Sequence, residues 1–300
     1  MCSVTAVLFT YNQERYVRYA FEDLINQDID MMTIIISDDC STDSTYSIIK
    51  NLTKTTKSRF DIRVDQNRVR LGFNEHINRI ITKSSTELII PFAGDDRFYP
   101  SRARVLRDNM RKSSALLAHS DCSFITATGQ QHSPINQNAT FYHTTDPFTA
   151  VRSQALFIGA TAAWSRELFE RYGQLPKSPY EDLVLGFRAS LEQKIQYIPQ
   201  KLMSYRVGVG RSTPKISNRE ECLRKRSYLL HAHRHACHKH ADTLTKLIEL
   251  IDHKLFELRI RRLSFTSMKK LCLIGKKKPF LSLLYLVDEF IKKMKCNTQH

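Results

Sequence analysis

The chain has 300 residues, 42% of them apolar, which suits one sizeable core of about 200–220 residues and a smaller appendage. Lys and Arg number 46 against 30 Asp and Glu, and the formal net charge of +16 implies an anionic partner: nucleic acid, an anionic membrane or a phosphate-bearing substrate. Seven scattered cysteines without a Cys-x-x-Cys pair suit reduced thiols in a cytosolic protein better than a disulfide framework or a structural zinc site, and the lack of any run of about 18 apolar residues excludes a membrane-spanning helix.

The first hundred residues alternate short apolar runs with helix-periodic segments. Ser3–Phe9 predicts a buried strand, and no basic region followed by an apolar one precedes it, so no signal peptide is expected. Tyr16, Val17, Ala20, Phe21, Leu24 and Ile25 give Gln13–Asn26 helical spacing. Thr33–Ile36, Phe60–Val64 and Glu87–Ala93 predict three further strands, separated by helices over Ser44–Leu52 and Asn74–Thr82. This alternation predicts an α/β fold, a mostly parallel sheet with helices on both faces. Farther on, Ala115–Ile125 predicts a strand, Gly129–Thr145 a loop or hairpin, Ser165–Arg171 and Asp182–Glu192 helices, and Ile195–Ile198 a closing strand. Val207–Pro214, with two glycines and a proline, predicts a linker or lid, and a basic helical stretch follows it from Arg219 to Met294.

Ligands of such open sheets bind at the carboxyl ends of the strands, and there the chain concentrates acid: Asp38-Asp39, Asp95-Asp96 and, later, Glu181-Asp182. Paired carboxylates at neighbouring strand ends are unfavourable unless donors or a hard divalent cation intervene. Two of the clusters also have a structural reading, because Ser41 and Asp43 are good helix caps and Glu181-Asp182 complements the dipole of a first turn.

The order Thr10-Tyr11-Asn12, Asp38-Asp39-Cys40-Ser41-Thr42-Asp43, Gly94-Asp95-Asp96 and Glu181-Asp182 resembles the family-2 glycosyltransferases, inverting enzymes of GT-A fold, over about Ser3 to Ser212. The resemblance implies a nucleotide diphosphate sugar as donor, a saccharide acceptor of the bacterial surface-polysaccharide, lipid-linked kind, and Mg2+ or Mn2+. It implies that Thr10, Tyr11 and Asn12 meet the nucleotide, with the tyrosine ring on the base. Asp39 would accept from a ring N–H of the base, with Asp38 supporting it. Asp95 would lie near the ribose or sugar, Asp96 would ligate the metal, and Asp182 would be the general base, ahead of Glu181. Cys40 stands where the family usually has Gly, a change expected to be tolerated. A Gln-x-x-Arg-Trp sequence, typical of processive relatives, is absent, which points to transfer of a single sugar.

The expected organisation is a catalytic domain over residues 1–212 and a basic helical extension over 213–300. Gly159-Ala160-Thr161 resembles a segment near the acceptor pocket and equally suits close packing, while Trp164, the one tryptophan, reads as core. The histidines of His231–His240 read as an exposed helix surface rather than a zinc site. Phe280, Leu283, Leu284, Val287, Phe290, Ile291 and Met294 form an apolar stripe flanked by lysines, which suits peripheral contact with the cytoplasmic membrane face and equally a packing or dimer helix. A metal-dependent nucleotidyltransferase would need a Gly- and Lys/Arg-rich phosphate loop, and Phe9–Arg15 is not one. A basic nucleic-acid-binding protein would carry a helix-turn-helix, zinc-finger or aromatic RNA-binding signature, and none is present, so no specific nucleic acid partner is expected.

Overall fold

The computed structural model describes residues 3–133, 146–152, 157–177, 180–210, 218–235 and 238–260. Two compact units divide the chain, Met1–Ile251 and Asp252–His300. The apolar stripe of Phe280–Met294, residues 134–145 of the expected loop and Arg211–Pro214 of the expected lid lie outside the described residues.

The first unit opens as expected, with β1 (Val4–Thr10), α1 (Val17–Ile25), β2 (Thr33–Asp38), α2 (Thr45–Thr55), β3 (Asp61–Gln66), α3 (Phe73–Lys83) and β4 (Leu88–Ala93). These four strands pair in parallel in the order β3-β2-β1-β4. All seven residues of β1 are buried, as a central parallel strand covered on both faces requires. The sheet continues through β5 (Arg97–Phe98), α4 (Arg102–Ser113), β6 (Leu117–Ile125), β7 (Gln131–His132), α5 (Pro147–Arg152) and β8 (Ala162–Ser165). It closes with α6 (Glu167–Tyr172), α7 (Glu181–Leu191) and β9 (Ile195–Arg206), and α8 (Asn218–His235) and α9 (Ala241–Ile260) follow. Beyond β4 the order is β8-β6-β9-β5, with antiparallel neighbours except for the parallel pair β6–β9.

Two elements depart from the sequence expectation. The closing strand does not stop at Ile198 but runs on to Arg206. Its register against β6 shifts between Ser120↔Ile198 and Asp121↔Lys201, so Pro199 sits in a bulge where its missing N–H breaks no ladder bond. Helix α4 was not expected, because five Arg and Lys residues hide its apolar face; Ala103, Leu106 and Met110 nonetheless lie at helical spacing and are buried.

Trp164 is only 1% exposed and packs edge-on against Phe169, so it is a core residue. Helix α8 packs on α7: Tyr228 lies against Phe187, and the His231 and His235 rings meet tilted at 4.8 Å while His231 Nδ1 faces Arg188 at 3.5 Å. The histidine stretch is therefore not a uniformly exposed surface. His240 is buried and meets Glu192 at 3.0 Å, and burial lowers His231 to a pKa of about 4.

Candidate active site

The carboxyl ends of β1, β2 and β4 reach the same level, since Thr10 pairs with Asp38 and Phe9 with Ala93. The strand order reverses direction between β1 and β4, which opens the crevice of an open α/β sheet at Thr10-Tyr11 and Gly94-Asp95-Asp96.

On the β1–β2 side, Asp38 is an internal tie. Its carboxylate accepts from the Thr10 hydroxyl (3.0 Å), the Ser41 amide (2.9 Å), the Ser41 hydroxyl (2.5 Å) and Gln66 Nε2 (3.1 Å). Asp39 holds the loop after β3, accepting from Asn67 Nδ2 (2.8 Å) and from the Leu71 (2.8 Å) and Gly72 (2.9 Å) amides. The Asn12 side chain accepts from the Thr42 amide at 2.8 Å, so Asn12 stitches the β1 and β2 loops together and is not simply open to a ligand. Beneath them His76 Nε2 meets Ser37 Oγ at 2.7 Å, and burial lowers the imidazole to a pKa of about 4, so it is neutral at physiological pH. Tyr11 is half-buried, and the Arg70 guanidinium lies 4.1 Å above its ring, a residue with no readable sequence signal.

Cys40 takes the left-handed conformation, with φ of 61°, which explains why a glycine suits this position. Cys40→Gly should raise stability by roughly 0.5–1 kcal/mol, the relief of left-handed strain less the greater freedom of the unfolded chain. A urea-unfolding midpoint at or below that of the parent would reject this account.

On the β4 side, Asp95 and Asp96 are both buried. Asp96 Oδ1 accepts from the Arg206 amide at 2.8 Å, and Arg206 Nε donates to the Asp95 carbonyl at 2.7 Å. Burial, followed by the Asp95 charge, pushes the Asp96 carboxyl well above the ordinary carboxylate range; Arg206 and Arg102 pull it back. Burial raises Asp95 as well. Gly94 is required, because a Cβ there would lie 2.9 Å from Thr10 Cγ2 and would strike the Gln13 amide. After β9, Gly210 (φ 75°) brings its main chain against the Asp95 carboxylate, so the described start of the expected lid lies on the acidic pair.

Glu181 and Asp182 open α7, partly exposed, with Leu183 N–H donating to Asp182 Oδ1 at 2.7 Å. Gly159 packs against them: a Cβ on it would be 2.7 Å from Glu181 Oε1 and 3.4 Å from Asp182 Cβ. Tyr205 precedes Arg206 on the part of β9 beyond Ile198, which sequence reasoning missed because the strand seemed to end there. Burial and then the charges of Asp96, Asp95, Cys122 and Asp182 push its phenol up to about 12.

A divalent cation fits this donor set. Asp95 and Asp96 are hard oxygen ligands whose mutual repulsion a cation would relieve, although no group of three His, Cys, Asp or Glu among the described residues forms a complete cage. Mg2+ sites shared with substrate phosphates use one or two carboxylates in this way.

The Glycosyl transferase family 2 model matches residues 5–173 of the chain, more than half of its length. An uncharacterized glycosyltransferase of Haemophilus influenzae is 27% identical over 115 residues, 38% of this chain and 35% of that protein. The GalNAc(5)-diNAcBac-PP-undecaprenol beta-1,3-glucosyltransferase of Campylobacter jejuni is 29% identical over 119 residues, 40% of this chain and 37% of that protein. The chain thus matches a little over a third of the length of these curated relatives. Among solved structures, Staphylococcus aureus TarS residues 1–349 in complex with UDP-GlcNAc superposes with a TM-score of 0.64 at 14% identity, over 89% of this chain and 77% of that one. The mannosyltransferase PcManGT from Pyrobaculum calidifontis, in complex with GDP-Man and Mn2+, does so with a TM-score of 0.55 at 14% identity, over 98% and 87%. The fold is accordingly GT-A, as the sequence resemblance implied.

Proposed function

The chain belongs to glycosyl transferase family 2, and from that premise we propose that it moves one sugar from a nucleotide diphosphate donor to a saccharide hydroxyl with inversion at the anomeric carbon. The observation that supports this reading is the buried acidic pair Asp95-Asp96 at the carboxyl end of β4, in the crevice where the strand order reverses.

In this reading Tyr11, backed by Arg70, forms the face on which the base stacks. Asp39 shapes the loop beside the base through the Leu71 and Gly72 amides and accepts from the base with its remaining lone pairs. Thr10, Asn12 and Asp38 keep the β1 and β2 loops in place around the nucleotide, and Asp95 lies beside the ribose or sugar. Asp182 takes the proton of the acceptor hydroxyl as its oxygen attacks the anomeric carbon, with Glu181 the secondary candidate. The bond to the nucleotide diphosphate breaks on the opposite face, and the leaving phosphate oxygen takes the electron pair. Asp96, with Asp95 beside it, would hold Mg2+ or Mn2+, which would supply Lewis-acid stabilisation of that departing charge.

The acceptor is proposed to be a lipid-linked saccharide. The reading draws on the name of the Campylobacter jejuni relative and on the basic, apolar-striped sequence within the 213–300 extension, which would hold the catalytic domain, residues 1–212, at the inner membrane face. Among the described residues no helix is long and apolar enough to cross a membrane.

A thermal-shift panel of UDP, TDP, GDP, CDP and ADP, each with Mn2+ and with EDTA, tests the donor half. One diphosphate should stabilise the protein only when metal is present. Silence across the panel would reject the nucleotide site.

A further inference from the structure

Arg102, the first residue of α4, is completely buried, and its hydrogen bonds go to main-chain carbonyls. Nη2 donates to Pro91 O at 3.2 Å, Ala160 O at 2.8 Å and Ala162 O at 3.2 Å. The guanidinium carbon lies 5.5 Å from the Phe92 ring centroid and 5.4 Å from that of Phe98, and Nε and Nη1 have no hydrogen-bond partner. A guanidinium in such a place is costly, and an apolar side chain of similar length would fill the space with less penalty. Stability alone does not account for it.

The register of β4 and β8 does. These strands pair only at Leu88↔Ser165 and Ile89↔Trp164; continued by two residues, the same register would set Pro91 opposite Ala162. Pro91 has no N–H to give, and there the ladder stops. Arg102 donates to both facing carbonyls and so replaces the missing bonds where the two strands part. Its third bond, to Ala160, reaches the 3-10 turn Gly159–Thr161, which is closed by the Thr161 amide (2.8 Å) and hydroxyl (2.7 Å) donating to Ile158 O. One end of this bridge is the strand that delivers Asp95-Asp96. The other is the turn whose Gly159 packs directly on Glu181 and Asp182.

We propose that Arg102 and the Gly159–Thr161 turn form a buried clamp that sets the position of Asp182 relative to Asp96, which makes Arg102 a positioning residue for sugar transfer. The clamp rests on the roles proposed above for those two carboxylates.

The test compares the parent with Arg102→Lys, Gly159→Ala and the double variant, by steady-state kinetics well below each melting temperature and by hydrogen exchange. A lysine side chain is shorter, so its ammonium falls short of the Nη2 position that meets all three carbonyls, and a Cβ on residue 159 pushes the turn off the Glu181 carboxylate. Each single variant should lose kcat by about 10- to 100-fold, the scale of an ångström-sized misplacement of catalytic groups, with donor KM within about twofold of the parent. The double variant should lose less than the product of the two, because both break one device. Exchange should rise in peptides covering the turn and the first turn of α7, and stay unchanged at the ends of β1 and β2. Parental kcat in folded Arg102→Lys, or exchange raised evenly through the core, would overturn the clamp. Should Arg102→Lys not fold, Gly159→Ala decides alone, and parental kcat and exchange in it reject the proposal. A parent that transfers no sugar would refute the proposed function, while the exchange pattern would still decide the clamp.

Discussion

Asp96→Ala should abolish metal-dependent donor binding and lower turnover by at least roughly 1,000-fold, because Lewis-acid stabilisation of a leaving phosphate is worth several kcal/mol. The physical basis is the buried acidic pair: Asp96 is held by the Arg206 amide and pushed toward its neutral form by burial and by Asp95. A cation is what makes two such carboxylates compatible. Alanine also leaves the Arg206 N–H without its acceptor, a penalty of about 1–3 kcal/mol, so lost stability must be separated from lost binding. Asp96→Asn is the companion variant, since its side-chain carbonyl can still accept that N–H while the charge is gone. Both should bind the diphosphate equally in Mn2+ and in EDTA. Retained metal dependence in a folded Asp96→Asn protein would remove Asp96 from the site.

Asp182→Asn should bind donor and metal like the parent and turn over at least about 100-fold more slowly, the usual effect of losing a positioned base. This variant separates the two readings of the acidic turn. If Asp182 only complements the dipole of α7, the substitution costs about 0.3–1 kcal/mol of stability and leaves turnover alone. Glu181→Gln should have the smaller kinetic effect of the two; the opposite ranking would exchange their roles.

The first half of the fold was legible because β1, β2 and β4 are buried on both faces and the helices between the strands carry one apolar stripe each, a pattern that hydropathy shows directly. Legibility failed where periodicity and composition mislead. The bulge at Pro199 cut β9 short on paper, and with it went Arg206, whose amide and guanidinium hold Asp96 and the Asp95 carbonyl. Helix α4 was hidden by its arginines, one of which is the buried Arg102. The acidic clusters were visible as strand-end residues, but the partners of each carboxylate were not. Asp38 and Asp39 proved to be loop ties as much as ligand groups, because what they bind depends on Gln66 and Asn67 after β3 and on the amides of Leu71 and Gly72. Such contacts join residues about thirty positions apart, and no local pattern encodes them.

The most direct test of the central claim is product analysis. The full chain is incubated with the sugar nucleotide whose diphosphate stabilises it, with Mn2+ and with a panel of lipid-linked saccharides, and NMR follows the anomeric proton. The account predicts stoichiometric release of nucleoside diphosphate and a new glycosidic bond of inverted configuration, both lost with EDTA and in Asp182→Asn. Transfer with retained configuration, or transfer undiminished in Asp182→Asn, would contradict it.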